Sequence, residues 1–220
     1  MGSTSSPSRI LIVDDHPIVR EGLAARIDGQ PDLEVCGEAS GINDALSQYR
    51  SLSPDLTLVD IQLEDGNGIE LIKEIYSRNS TAKMLVVSAF DESLYANRAL
   101  RAGALGYVNK RELQDKVIDA IRTVLKGDRY LSPKMTQQLL SQVVSNKTTM
   151  DEDPIQRLSD RELEVFQLIG HGKTTAAIAA QLQLSVHTID THREKLRHKL
   201  GAKNSAELMK LAVQWVLENG

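Results

Sequence analysis

The sequence predicts an α/β domain built as a doubly wound five-stranded parallel sheet, followed by a small all-α domain of four helices. Three observations carry this. Across residues 9–127, short apolar runs alternate five times with amphipathic helical stretches. From 156 to 220 only helical periodicity remains. Between them, residues 128–155 turn rich in Gly, Pro, Ser, Asn and acids, which is linker composition around one short helix. At 220 residues with 41% hydrophobic content, the chain has enough apolar material for two separate cores.

The runs RILIV, LEVCGEA, DLTLV, KMLVVSA and GYVN are read as strands. Their near-continuous Val, Ile and Leu content suits strands buried on both faces, hence parallel pairing under two layers of helices. Helices are expected near 17–28, 42–52, 68–78, 92–102 and 112–126. The last shows the period plainly, with Leu113, Val117, Ala120, Ile121 and Val124 on one stripe. Pro133 suits the first turn of a short helix through about Val144. Ser159 with Glu162 is a capping-box start, and Gly170 and Gly172 close that helix. Thr174 caps the next helix through Leu182, and a tight turn at Gln183-Leu184-Ser185 leads into a third that runs to Leu200 and ends at Gly201. Asn204 with Glu207 begins the last, to about Leu217.

Residues 1–8, small and polar, are set aside from the fold as a flexible start or a remnant of cloning. They lack the apolar stretch of a secretion signal, and no apolar run is long enough to span a bilayer. The expectation is a cytoplasmic protein with no membrane partner. Cys36, the single cysteine, is expected to serve as a small hydrophobe in its strand, and its lack of a partner points to a reducing compartment. The net charge of -4 argues against nucleic acid only as an average. Residues 193–203 carry five Lys or Arg and one acid, whereas Asp14, Asp15, Asp60, Glu64 and Asp65 crowd around predicted strand ends. Segregated charge implies different partners for the two halves.

In a doubly wound sheet, ligands bind where the carboxyl ends of the strands open. Asp14 and Asp15 follow the first strand, Asp60 the third, Ser88 closes the fourth and Lys110 lies just past the fifth. Singly, each has a plain structural reading: a turn or helix cap for the Asp pair, a satisfied hydroxyl for the serine, a solvated ammonium for the lysine. Together they are a different matter. Three adjacent carboxylates repel one another unless a cation neutralises them, and hard oxygen donors suit Mg2+. An acid trio, a hydroxyl and an ammonium can hold a phosphoryl group.

The stretches ILIVDDHPIVREGL, PDLTLVDIQLEDGNG, MLVVSAF and RAGALGYVNK resemble the receiver domain, of flavodoxin-like fold, of two-component response regulators in the NarL/FixJ branch. The resemblance implies that Asp60 accepts a phosphoryl group from a phosphohistidine on a sensor histidine kinase, or from a small phosphodonor. It implies that Asp15, Asp60 and the backbone carbonyl of Gln62 hold Mg2+, with Asp14 supporting them from behind. Ser88 and Lys110 would bind the phosphoryl oxygens, and Tyr107 would be the aromatic that changes position with Ser88. Two departures stand out. Leu63-Glu64 replaces the Met-Pro pair frequent in the family, which leaves the shape of that loop open. Phe90 and Gln62 occupy positions that flank the route of hydrolytic water, so Phe90 is expected either to slow loss of the phosphoryl group or simply to cover the sheet edge.

Helices at 174–182 and 186–200 match a helix-turn-helix arrangement. With Val186, Ile189, Leu196 and Leu200 expected inward, His187, Asp190, Thr191 and Glu194 project elsewhere, and Arg193, Lys195, Arg197 and Lys199 spread over the remaining surface. A charge run of this kind is equally the solvated side of a short helix. The stretch from LSDRELEVFQLIGHG to TIDTHREKLRHKLGAKNSAELMKLAVQWV resembles the LuxR-type output domain of the same group. That implies base-facing positions for His187, Asp190, Thr191 and Glu194, phosphate contacts for Arg193, Lys195, Arg197 and Lys203, and a dimer surface on the last helix. Acids at 190 and 194 depart from the Lys common in relatives, as does Thr175-Ala176-Ala177 from the usual Asn-Lys-Glu. Four of the five histidines fall in this half without a cysteine, and surface positions or core packing are expected of them rather than a metal site.

The combined expectation is a phosphorylation-switched, DNA-binding transcription regulator rather than an enzyme. Its partners would be a sensor histidine kinase, promoter DNA and RNA polymerase, with homodimerisation on phosphorylation or DNA binding. An aspartyl-phosphate hydrolase would need an Asp-x-Asp motif after the first strand, where this chain has Asp14-Asp15-His16. A signalling adaptor whose helical half binds protein is the other reading, and it predicts a salt-insensitive interaction.

Overall fold

The computed structural model describes residues 6–144, 154–182 and 184–219. The heart of the expected linker, 145–153, and Gln183 of the expected turn lie outside the described residues. The chain divides into two compact units, Met1–Gln138 and Leu139–Gly220.

The first unit is a parallel sheet of β1 (Ser8–Val13), β2 (Leu33–Ala39), β3 (Leu56–Val59), β6 (Met84–Ser88) and β7 (Gly106–Asn109), in the order β2-β1-β3-β6-β7. A two-residue-per-strand hairpin, β4 (Gln62–Leu63) with β5 (Gly66–Asn67), stands apart from it. The helices are α1 (Pro17–Asp28), α2 (Ile42–Leu52), α3 (Gly68–Arg78), α4 (Glu92–Ala102) and α5 (Leu113–Leu125). Alternate residues along each strand point to opposite faces. Ile10, Ile12, Leu56, Leu58, Leu85, Val87 and Val108 accordingly form one core with Leu23 and Ile27 of α1 and Val117, Ala120, Ile121 and Val124 of α5. Leu11, Val13, Val59, Met84, Val86 and Tyr107, equally buried, point to the other face, where Ile69 and Ile72 of α3 and Ala96 and Ala99 of α4 are buried too. Burial on both faces is why these strands read as apolar runs without alternation. The sheet order reverses between β1 and β3, and a crevice opens beyond their carboxyl ends at such a reversal.

Two local features depart from the expectation. The stretch after Asp60, read as loop, folds into the β4–β5 hairpin. Its return is held by Asp65, whose carboxylate accepts the Ile42 N–H at 2.5 Å and so caps α2. The helix expected from 112 begins instead at Leu113, behind a 3-10 turn at Lys110–Glu112 that Asn109 caps by accepting the Arg111 N–H at 2.9 Å.

Residues after α5 remain on this unit. Tyr130 adds one rung to the open edge of β7: its N–H donates to the Leu105 carbonyl and its carbonyl accepts from the Tyr107 N–H, both at 3.0 Å. The Ser132 N–H donates to the Glu92 carboxylate at 3.1 Å, and Met135, in the first turn of α6 (Pro133–Val144), is buried.

The second unit is helical: a 3-10 turn at Pro154–Arg157, then α7 (Asp160–Gly170), α8 (Thr175–Gln181), α9 (Val186–Leu200) and α10 (Ser205–Asn219). The capping box forms, with the Ser159 N–H donating to Glu162 at 2.7 Å and the Glu162 N–H to the Ser159 hydroxyl at 3.3 Å. Leu163, Phe166, Ile169, Ile178, Ile189, Leu196, Leu208 and Ala212 are buried to completion, and the Phe166 ring tilts against Trp215 at 5.9 Å. Among the described residues, no helix is long and apolar enough to cross a membrane.

Candidate functional site: a carboxylate pocket and a basic helix

Asp14 follows β1, Asp60 follows β3, and both are buried, which puts two carboxylates side by side at the sheet reversal. Ligand atoms of Asp14, Asp15, His16 and Asp60 all lie within 4.8 Å of one another. That spacing lets several carboxylate oxygens share one small divalent ion, and their hard-donor chemistry fits Mg2+. Lys110 reaches across from the end of β7. Its ammonium stands 2.7 Å from Asp60 Oδ2 and 2.6 Å from Asp14 Oδ2, a single cation bridging two buried anions. The other Asp60 oxygen accepts the Ile61 N–H at 2.7 Å, which fixes the carboxylate's direction.

The electrostatics follow from this crowding. Burial pushes the Asp60 carboxyl above its ordinary range and Asp14 pushes it further, while Lys110 and the Ser88 hydroxyl pull it back. Burial alone would lower Lys110, but Asp60 and Asp14 outweigh it and leave the ammonium more basic than usual. Lys110 therefore keeps its proton, and the pocket stays short of positive charge.

Ser88 closes β6 and is buried. Tyr107 points inward from β7: its hydroxyl donates to the Phe90 carbonyl at 2.8 Å, and burial raises it well above the ordinary phenol range. Phe90 lies over Tyr95 of α4, rings stacked at 5.0 Å. Gln62 sits on β4 with an exposed side chain. Several contributors escaped the sequence reading. His16 Nδ1 lies 2.6 Å from Asp15. Arg20 donates to the Asp14 carbonyl at 2.6 Å, and the Asn109 amide to the Phe90 carbonyl at 3.1 Å. Only DDH was a visible signal for these; the rest depend on contacts between separate elements.

In the second unit, Ser185 caps α9 by accepting the Thr188 N–H at 3.0 Å, and the Leu184 N–H returns to the Ala179 carbonyl at 2.9 Å, which sets the turn after α8. Ile189 and Leu196 are buried as expected, but Leu200 is half-buried and Val186 is 49% exposed. His187, Asp190, Thr191 and Glu194 are all exposed. The cations divide into two groups. Arg197 pairs with Glu194 at 2.8 Å and donates to the Lys203 carbonyl at 3.0 Å. Lys199, exposed as expected, reaches Glu162 at 2.6 Å. Arg193 and Lys195, with the Lys203 ammonium, carry no such partner among the described residues.

A parallel sheet with carboxylates at its reversal and a lysine across from them, in one chain with a helix-turn-helix unit, defines the response regulators that control transcription. This chain belongs to that family. Residues 10–122 match the response regulator receiver domain and 156–212 the bacterial regulatory proteins of the luxR family, so it is a DNA-binding transcription regulator and not an enzyme. The oxygen regulatory protein NreC of Staphylococcus carnosus is 33% identical over 210 residues, 94% of this chain and 97% of that one. NreC of Staphylococcus aureus strain RF122 is 35% identical over the same shares. A LuxR-family response regulator from Aurantimonas superposes with a TM-score of 0.59 at 36% identity, over 63% of this chain and 99% of that one. RcsB of Salmonella enterica serovar Typhimurium, solved on a promoter with the phosphomimetic BeF3-, shares the fold with a TM-score of 0.67 at 23% identity, over 94% and 98% of the two chains.

Proposed function

We propose that Asp60 accepts a phosphoryl group from the phosphohistidine of a sensor histidine kinase, and that this modification controls promoter binding by α9. The observation that carries the reading is the Lys110 bridge between Asp60 and Asp14 at the sheet reversal. Asp60 is rigidly held, one oxygen by the Ile61 N–H, and the other is offered toward Lys110. An in-line transfer needs little from the protein beyond placement and charges that offset those on the phosphoryl oxygens. Lys110 supplies one such charge. Asp15, Asp60 and the Gln62 carbonyl would hold Mg2+, supported by Asp14, and the ion would supply the remaining positive charge. Ser88 would take a phosphoryl oxygen as donor. Drawing the Ser88 hydroxyl toward the phosphoryl group alters what Tyr107 meets, and the Tyr107 backbone is bonded to Tyr130, at the start of the segment that leads to the second unit.

Shifting a two-state switch from nearly off to nearly on takes about 5.5 kcal/mol of differential stabilisation. New charge-assisted bonds from a phosphoryl group to Lys110, Ser88 and Mg2+ are of the kind that supply it. In the output unit, Arg193, Lys195 and Lys203 suit phosphate contacts. Arg197 suits a positioning role through Glu194. The exposed Met209, Val213 and Leu217 of α10 suit a homodimer surface, and RNA polymerase would be met at the promoter. A cytoplasmic location is consistent with these partners. In the test, wild type and Asp60→Asn are given a small acyl phosphate donor with Mg2+, and both label incorporation and promoter-fragment retardation are read. Label on wild type alone, with tighter DNA binding, is the expected result; equal labelling of Asp60→Asn would overturn the assignment.

A further inference from the structure

The helix proposed to enter DNA carries acids where a nucleic-acid surface should carry bases, and the structure separates the two acids. His187, Asp190, Thr191, Glu194 and His198 share one exposed stripe of α9, since residues three and four apart fall on one helical face. Glu194 is engaged: Arg197 pairs with it at 2.8 Å and His198 stands 3.7 Å away. The exposed pair offsets part of its charge, and its oxygens are turned along the helix. Asp190 has no hydrogen bond or ion pair among the described residues. Thr191, beside it, donates its hydroxyl to the His187 carbonyl at 3.0 Å, so its one proton is spent on the helix.

We infer that Asp190 is the specificity-determining residue of this helix and selects a cytosine in each half-site, while Glu194 serves only to hold Arg197. The inference rests on the proposed reading that α9 lies in the major groove. A carboxylate there is acceptor-only, so the base edge it meets must donate. Guanine offers only the acceptors N7 and O6, and thymine offers the acceptor O4 beside a methyl group. Adenine offers the N6 amino group but sets the acceptor N7 next to it, which repels the second carboxylate oxygen. Cytosine offers the N4 amino group with no acceptor of its own beside it, and so fits best. The same carboxylate also repels the DNA backbone, so its cost is recovered only on the matching base. That makes Asp190 a discriminator more than a source of affinity.

The experiment selects bound fragments from randomised duplexes with the full-length protein in the presence of a small phosphodonor and Mg2+. Wild type, Asp190→Asn and Glu194→Gln are compared. Wild type is expected to enrich a cytosine at one position per half-site, with roughly tenfold preference over other bases. Asp190→Asn is expected to exchange it for adenine, because an amide can donate to N7 while accepting from N6. Glu194→Gln is expected to leave the selected base unchanged. An identical sequence from wild type and Asp190→Asn overturns the inference while DNA binding stands, as does an adenine selected by wild type or an altered base with Glu194→Gln. Retention of no fragment by wild type, even at low salt, overturns the inference together with the reading that α9 enters the major groove.

Discussion

Gly68 opens α3 pressed against the strand end that carries Asp60. A Cβ added there would stand 2.9 Å from the Asp60 carbonyl carbon and 2.9 Å from Val59 Cγ1, with the Asp60 carbonyl oxygen nearer still. Carbon atoms pack favourably at about 3.5–4.0 Å and the oxygen contact is the tightest, so α3 or the Asp60 peptide must retreat by at least roughly 1 Å. Neither is free to do so. The Gly68 N–H donates to the Ile61 carbonyl at 2.7 Å, and Ile69, Leu71 and Ile72 anchor α3 in the core. Alanine is worth up to about 1 kcal/mol over glycine inside a helix, but overpacking costs about 1–3 kcal/mol and more against backbone, so a net loss near 2 kcal/mol is expected for Gly68→Ala. The chemistry should suffer too: misplacement by about 1 Å can cost about 100-fold, so phosphoryl transfer to Asp60 should slow by roughly 10- to 100-fold. Thermal unfolding and label uptake from a small phosphodonor measure the two effects. Gly22→Ala on α1, where an added Cβ meets nothing within 4 Å, is the control and should gain about 0.5–1 kcal/mol. A Gly68→Ala protein that melts at or above the wild-type temperature and is labelled at the wild-type rate would refute this packing argument.

Replacing Lys110 by Met strands two buried carboxylates, which should cost about 3–5 kcal/mol in chelator; Mg2+ should restore much of it, and a melting curve unmoved by Mg2+ would count against a shared cation site. Glu162 is held below the ordinary carboxylate range, since the Lys199 ammonium and the Ser159 N–H outweigh the burial that would raise it. A depressed folded value means stability present above the ordinary value of 4.5 and lost as pH falls through the folded one. Glu162→Gln should therefore flatten the acid limb of the second unit's unfolding profile, read through Trp215 fluorescence. Arg193→Ala and Lys195→Ala should each reduce the slope of log affinity against log salt by about 1, a change Lys199→Ala should not make if its ammonium serves Glu162 alone.

Much of this protein was legible before any contact was known. The apolar runs at 10–13, 56–59 and 84–87 marked the buried strands, because burial on both faces leaves no room for polar alternation. Ser159, Thr174 and Ser185 announced helix starts, because a cap acts within three residues of itself. The hairpin after Asp60 was not legible: Asp65 stabilises it by capping α2, a helix earlier in the chain. Nor was the docking of residues 130–135, whose composition reads as linker while their backbone completes the edge of β7.

The order of elements, the residues gathered at the strand ends and the basic character of α9 were determined by the sequence itself, since periodicity, capping and charge are properties of neighbours along the chain. Which charges are already spoken for was decided only by the tertiary structure. Lys199 meets Glu162 across 37 residues and Lys110 meets Asp60 across 50. The strength of an ion pair depends on distance and on the water between the partners, and a linear sequence carries neither.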